Sequence, residues 1–425
     1  MKVKGGKIIG AGGYGCVFRP PLKCKGKHRT KKRMVSKLMT VKHAKSEYEE
    51  IMKFKKILKN IPNYNKYFLL EDISICKPEK LSDSDLDRFD SKCHALNDSY
   101  NKDFINYELD ELAILNIPDG GSDLKTYIKN VHYSNLPSVN ERLLNLLVYA
   151  IIPMNKRKVL HADLKDSNIL MNDKHATIID WGLSVIYKSN EIPEKLQNRS
   201  VYYNIPFTSI LFNVTFFNMY STFLKENEVQ TYETTQEFIK IFIQTWFNRR
   251  GDGHYRLIKQ LVTSLYINDN LSFEDIQDVT MKIIVNYLTV VVMKYTINGT
   301  IDLIKYYNEV YVHIIDIWGF LTIYLSLLES LSINYTRLSV NEIKLFEKLK
   351  RIVLTYMYEP RVTPINMSQL ISDLKSLNFI FLQCKTQDSS TDFSRNSAQT
   401  DNVTSSLNYK GGLLKKHIKN TKKKR

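Results

Sequence analysis

Two short stretches constrain this chain more than anything else in it: His161-Ala162-Asp163-Leu164-Lys165-Asp166-Ser167-Asn168 and, after a short apolar run, Ile179-Asp180-Trp181-Gly182. Around them, Val159-Leu160, Ile169-Leu170-Met171 and Thr177-Ile178-Ile179 read as short buried strands, and Asn172-Asp173 supplies a tight turn. Folded that way, the segment gathers Asp163, Asn168 and Asp180 with Lys165 beside them. Two Asp and one Asn in a loop are commonly only solvated; their ordered register argues for more.

That register fits the H-R-D-L-x-x-x-N and D-F-G signatures of phosphoryl transfer from ATP. The chemistry needs a carboxylate to orient the attacking hydroxyl and oxygen ligands to hold Mg²⁺ against the phosphates. Asp163 falls at the base position, and Asn168 and Asp180 at the metal positions.

The N-terminal region supplies a second half-site. Gly10-Ala11-Gly12-Gly13-Tyr14-Gly15-Cys16-Val17 follows Ile8-Ile9 and fits G-x-G-x-x-G-x-V. Such glycines let backbone amides close over phosphates. A Rossmann helix is disfavoured, because Cys16-Val17-Phe18-Arg19 is strand-like and runs into Pro20-Pro21. The expected nucleotide contacts are Ile9, Gly10, Ala11, Gly12, Gly13, Tyr14, Gly15 and Val17. In Met34-Val35-Ser36-Lys37-Leu38-Met39 one lysine sits in an apolar strand, and Lys37 is expected to hold the α/β-phosphates. From Ala44 to Lys59, Tyr48, Ile51, Phe54 and Leu58 recur at helical spacing with Glu47, Glu49 and Glu50 near the start. Glu47 is the expected Lys37 partner, with Glu50 close behind.

With these motifs the chain resembles the eukaryotic-type protein kinase family and, through His161-Ala162-Asp163-Leu164-Lys165, the divergent Ser/Thr kinases of large DNA viruses. The resemblance implies an α+β, bilobal fold with a small β-rich N-lobe over 1–117 and a helical C-lobe over 118–384. It also implies that Lys165 neutralises charge on the moving phosphoryl, as in Ser/Thr kinases. Ala113-Ile114-Leu115-Asn116-Ile117-Pro118 resembles the adenine hinge, with backbone from Leu115 to Pro118 toward the base. Asp123 either contacts ribose or caps the next helix. Asp316, alone in an apolar helix, resembles the residue that grips the catalytic-loop backbone.

Departures matter too. Ala162 replaces the Arg that usually receives an activation-loop phosphate, which predicts activity independent of that phosphate. Trp181 replaces a Phe that packs under the regulatory helix. No A-P-E closes the segment; Tyr203-Asn204-Ile205-Pro206-Phe207 stands there, and Arg361 loses its customary partner. About 208–310 a long insertion must fold, because a structureless loop of that length is implausible. Apolar spacing around Phe238, Phe242, Trp246, Leu257, Leu261, Leu265, Ile283 and Leu288 predicts helices with a turn at Gly251-Asp252-Gly253. His254-Tyr255-Arg256 reads as an ordinary helix entry.

No run of eighteen uncharged apolar residues suggests a membrane span, and the first residues lack the apolar core of a signal peptide. Five scattered cysteines imply reduced thiols and a cytoplasmic setting, in host cell or virion if the chain is viral. Cys16, in the glycine loop, is the candidate reactive thiol. The net charge of +17 is concentrated in residues 23–37 and 410–425, which favours nucleic acid or another polyanion. Residues 385–409 are rich in Ser, Thr, Asn and Asp and read as a disordered tether. Residues 79–104 read as a surface excursion. The expected substrates are protein hydroxyls. Alternatives are a small-molecule kinase of the aminoglycoside or choline type, for which Ile179-Asp180-Trp181 speaks, and a nucleic-acid-associated scaffold that binds no nucleotide.

Overall fold

The computed structural model describes residues 6–26, 33–97, 99–129, 131–227, 229–269 and 271–385. The expectations for the basic stretch 23–37 fall partly outside these residues, and those for the tail from 386 onward wholly so.

Strands β1 (Lys7–Gly12), β2 (Gly15–Arg19), β3 (Met34–Thr40), β4 (Ser74–Cys76) and β5 (Leu112–Pro118) form an antiparallel sheet in the order β1-β2-β3-β5-β4. Gly12 pairs with Gly15 across the hairpin, and Lys37 lies between Val17 and Leu115. Strand alternation turns Met34, Ser36 and Leu38 to one face and Val35 and Lys37 to the other. Helix α1 (Val41–Leu58) is capped by Thr40, whose hydroxyl accepts from the His43 amide, and it buries Ala44, Ile51, Phe54 and Leu58. It starts three residues earlier than the apolar spacing predicts. Its first turn therefore carries no acid, and Glu47 lies further in.

Two expectations fail on the other face of the sheet. Residues 79–104 are not merely a surface excursion: short helices Asp83–Leu86, Phe89–Lys92 and His94–Asn97 bring Phe89, Cys93 and Leu96 into a core with Ile8, Cys16 and Phe18. Nor are the cysteines all reduced. Cys16 pairs with Cys93 and Cys24 with Cys76, at Cα separations of 5.5 and 5.7 Å. Cys16 is thus a buried half-cystine rather than a reactive thiol, and Cys384 is the free, buried cysteine among the described residues.

The larger lobe is helical, with two small sheets at the cleft: β6 (Ser122–Asp123), β8 (Ile169–Met171) and β9 (Ala176–Ile178) in the order β6-β8-β9, and β7 (Val159–Leu160) with β10 (Val185–Ile186). The insertion folds into helices Val214–Glu226, Tyr232–Arg250, Tyr255–Leu265 and Phe273–Tyr295. An unanticipated hairpin of β11 (Thr296–Ile297) and β12 (Thr300–Ile301) follows. Phe238, Phe242, Trp246, Leu261, Leu265 and Leu288 are buried there. Phe273–Tyr295 and Leu303–Ile333 are, by length and composition, apolar enough to cross a membrane. Half of the first span and 89% of the second are buried in the fold, as in core helices.

Candidate active site

Lys37 points from β3 toward α1, where its ammonium donates to both Glu47 carboxylate oxygens at 2.8 and 2.7 Å. Glu50, the other acid considered, is engaged elsewhere: it accepts from Lys195 at 2.7 Å. Both acids lie one turn before a buried residue, Glu47 before Ile51 and Glu50 before Phe54, so helical spacing alone does not separate them.

Opposite, the catalytic-loop candidates are fixed from below. Helix Val312–Leu321 is apolar except for the exposed His313 and for Asp316, which is 1% exposed. Its carboxylate accepts from the His161 amide at 2.9 Å, the Ala162 amide at 2.8 Å and the Asn155 side chain at 2.7 Å. Three donors satisfy a charge that burial alone would penalise. Gly319 allows the loop this close, because a Cβ there would stand 2.8 Å from both Leu164 Cβ and the Leu164 carbonyl. The backbone turns through positive φ at Ala162 (60°) and Asp180 (65°), conformations uncommon outside glycine that recur at functional sites.

Asp163 is held on both oxygens. One accepts from Lys165 at 2.9 Å and Asn168 at 3.0 Å; the other accepts from Asn204 at 2.8 Å. Asn168 also donates to the Asp163 carbonyl, which leaves its side-chain oxygen for a cation. The Asp180 carboxylate is exposed and accepts only a long bond, 3.3 Å, from the Gly182 amide. Two hard oxygens of this kind suit Mg²⁺, whose shell is completed by phosphate and water. Among the described residues no group of three His, Cys, Asp or Glu side chains offers a closed metal cage. Trp181 packs beneath α1 against Phe54 and Phe68 and edge-on to His161.

A cleft of about 750 Å³ joins the halves. Ile9, Gly10, Ala11, Gly12, Val17, Lys37, Glu47, Asp123, Lys165, Asn168 and Asp180 all line it. Gly13, Tyr14 and Gly15 do not. Tyr14 is swung out to stack on His43 at 4.5 Å, and Gly15 lies buried in β2 against the Leu38 carbonyl. Asp163 sits behind Lys165 and Asn168 rather than on the lining. Leu115 and Asn116 are paired on both sides, by β3 and β4, so the hinge contacts shift to Ile117, Pro118 and Asp119, where β4 has ended. Asp123 caps the following helix by accepting from the Thr126 amide at 2.9 Å while also lining the cleft.

The sequence reading missed Arg19 and the role of Asn204, and it left Arg361 without a partner and took His254 for an ordinary surface group. Asn204 stands in the stretch noted only for its lack of an acid. Arg19 in β2 donates to Asp119 at 2.6 Å and to the Gly121 carbonyl, tying the sheet to the hinge. Arg361 lies 4.0 Å from Glu359 and against the Tyr356 ring. His254 is not an ordinary surface group. It contacts the rings of Tyr202 and Tyr203, and burial, then nearby Lys165, depress its pKa to about 4.

Two lobes around a nucleotide-sized cleft, with the lysine–glutamate pair above and the anchored acidic loop below, define a protein-kinase-like fold. Residues 123–202 match the RIO domain, an atypical protein kinase family within that superfamily. The match takes in the catalytic and metal loops; the glycine hairpin, Lys37 and the insertion lie outside it. No curated protein matches the chain.

Proposed function

We propose that this chain is a serine/threonine protein kinase that moves the γ-phosphoryl group of Mg-ATP to protein hydroxyls. One observation carries the reading: Lys37, Asn168 and Asp180 come from three separate stretches of sequence and line one cleft, with Asp163 bonded to two of the residues at its floor. In the reaction, the substrate hydroxyl oxygen bonds to the γ-phosphorus as the bond to the β–γ bridging oxygen breaks, ADP leaves, and the hydroxyl proton passes to Asp163. Lys37, oriented by Glu47, holds the α/β-phosphates, and the β1–β2 hairpin covers them. Mg²⁺ held by Asn168 and Asp180 would supply charge neutralisation at the phosphates. Lys165 places a cation beside the base, which supports Ser/Thr acceptors; the likeness to viral kinases rests on the form of residues 161–165 alone.

The test is γ-phosphate transfer to a basic protein, including autophosphorylation, in wild type, Lys37→Met and Asp180→Ala. Both variants are expected to lose activity at least about 100-fold. Undiminished activity in both removes the site, and phosphorylation of amino-alcohols in place of protein transfers the reading to a small-molecule kinase. Two further readings belong here. The basic run 410–425 is proposed to contact a polyanion. The two cystines fit an oxidising environment better than the cytoplasmic setting expected from scattered thiols, and counting thiols in protein isolated from its source decides between them.

A further inference from the structure

The segment between the metal loop and Pro206 has its own cation where many kinases receive a phosphate. Arg199 is 8% exposed, and its guanidinium donates to three carbonyls: its own segment at Lys195 (2.8 Å), the catalytic loop at Ala162 (2.8 Å) and the metal loop at Leu183 (3.5 Å). The polarity is inverted. Instead of an arginine in the catalytic loop accepting a phosphorylated segment, an arginine in the segment binds the backbone of an alanine in the loop. Four residues earlier, Lys195 pairs with Glu50 of α1 at 2.7 Å. One short stretch thus grips both the loop that carries Asp163 and the helix that carries Glu47.

The helical insertion grips that stretch in turn. Trp246 donates its indole N–H to the Arg199 carbonyl at 3.0 Å, the Ser200 hydroxyl donates to the Arg250 carbonyl at 3.2 Å, and the His254 amide donates to the Val201 carbonyl at 2.7 Å. The approach is close: a Cβ on Gly253, whose φ is +58°, would stand 2.3 Å from the Val201 carbonyl oxygen. Consecutive residues 199, 200 and 201 are each bonded to the insertion, and each bond uses backbone on at least one side.

We propose that the insertion is a built-in activator: it fixes residues 199–201 so that Arg199 and Lys195 position the catalytic loop and α1 with no phosphate on the segment. This rests on the kinase reading above. Arg199 and Lys195 are positioning residues that act through Asp163 and Glu47, and both of their charges are already engaged, so a phosphate added nearby gains no waiting cation.

The experiment measures steady-state phosphoryl transfer and Mg-ATP thermal shift on the full chain. Wild type without activity defeats the kinase reading and leaves this one without a subject, so wild-type activity is the first readout. Given that activity, phosphatase treatment is expected to leave it unchanged. Trp246→Phe keeps an aromatic ring, though a smaller one, and loses the donor; it and Gly253→Ala are each expected to lower kcat about tenfold while the KM for ATP stays within about twofold. Lys195→Glu is expected to raise the KM for ATP, because α1 loosens, and combination with Glu50→Lys to restore it. Arg199→Gln should lose kcat more than any of these; if it fails to fold, the Trp246 and Lys195 variants carry the test. Full kcat in Trp246→Phe and Gly253→Ala, no recovery in the charge swap, or loss of activity on dephosphorylation overturns the proposal.

Discussion

Asp163 shows how much a single carboxylate is asked to do. Lys165, Asn168 and Asn204 all donate to it, from two, five and forty-one residues away, so its rotamer is fixed before any substrate arrives. A carboxylate has about four lone-pair sites, and three donors leave one free to accept a further hydrogen bond. Glu329 is the opposite case, an acid with little to stabilise its charge. Burial is the main cause that pushes its carboxyl up from 4.5 to about 7; Asp166 nearby adds to the effect and Lys125 opposes it. Asp166 is itself raised, also chiefly by burial. Because the folded chain keeps a proton on Glu329 that the unfolded chain releases, the contribution of Glu329 to stability should fall as pH rises from about 4.5 to about 7 and level off above. Glu329→Gln removes that loss. The variant should nearly match wild type at pH 4.5 and be more stable at pH 8, by on the order of 1–3 kcal/mol. Urea unfolding at the two pH values reads the difference, and an equal gap at both would show that Glu329 ionises freely in the fold.

At the level of elements, what was legible in the sequence was what neighbours in sequence decide. Asp163, Lys165 and Asn168 lie within one turn of loop, and Asp180 follows at the far end of a short hairpin, so spacing alone reported their convergence. The period-2 pattern of β3 likewise turned Lys37 to the cleft. Arg199, Lys195 and Asn204 were invisible, because each works across 37 to 145 residues of separation and none breaks a local pattern. The cystines were hidden for the same reason: their partners are 77 and 52 residues apart, and the odd fifth cysteine suggested no pairing. That pairing has a consequence for the N-lobe. Cys16–Cys93 fastens the helices of 83–97 over β1 and β2, so the hairpin that lines the cleft hangs on a cross-linked layer. Cys93→Ser should destabilise the fold by about 2–4 kcal/mol, and reduction of wild type, which also opens Cys24–Cys76, by at least as much. Thermal unfolding with and without reductant measures it, and a melting temperature indifferent to both would mean that the outer layer holds by apolar packing alone.

Charge and catalysis are distributed differently over the whole molecule. The formal net charge is +17, yet the cleft is lined by acids as well as lysines, with Glu47, Asp123 and Asp180 facing Lys37 and Lys165. Much of the excess lies instead at the end of the chain. Residues 410–425 contain eight Lys or Arg and no acid, so removing them takes the formal charge from +17 to +9. Each cation that neutralises a phosphate releases bound counterions, and the slope of log affinity against log salt counts those contacts. If the run engages a polyanion, deleting residues 410–425 should flatten that slope for duplex DNA by several units and weaken binding at low salt. Transfer to a short peptide should not change, because every residue that grips Asp163, Lys37 or the segment at 195–201 lies before residue 317. Filter binding at three salt concentrations beside a peptide assay separates the two. An unchanged slope would make the run a solubilising tail, whereas lost peptide activity would place it in contact with the catalytic lobe and tie together two properties that the fold otherwise keeps apart.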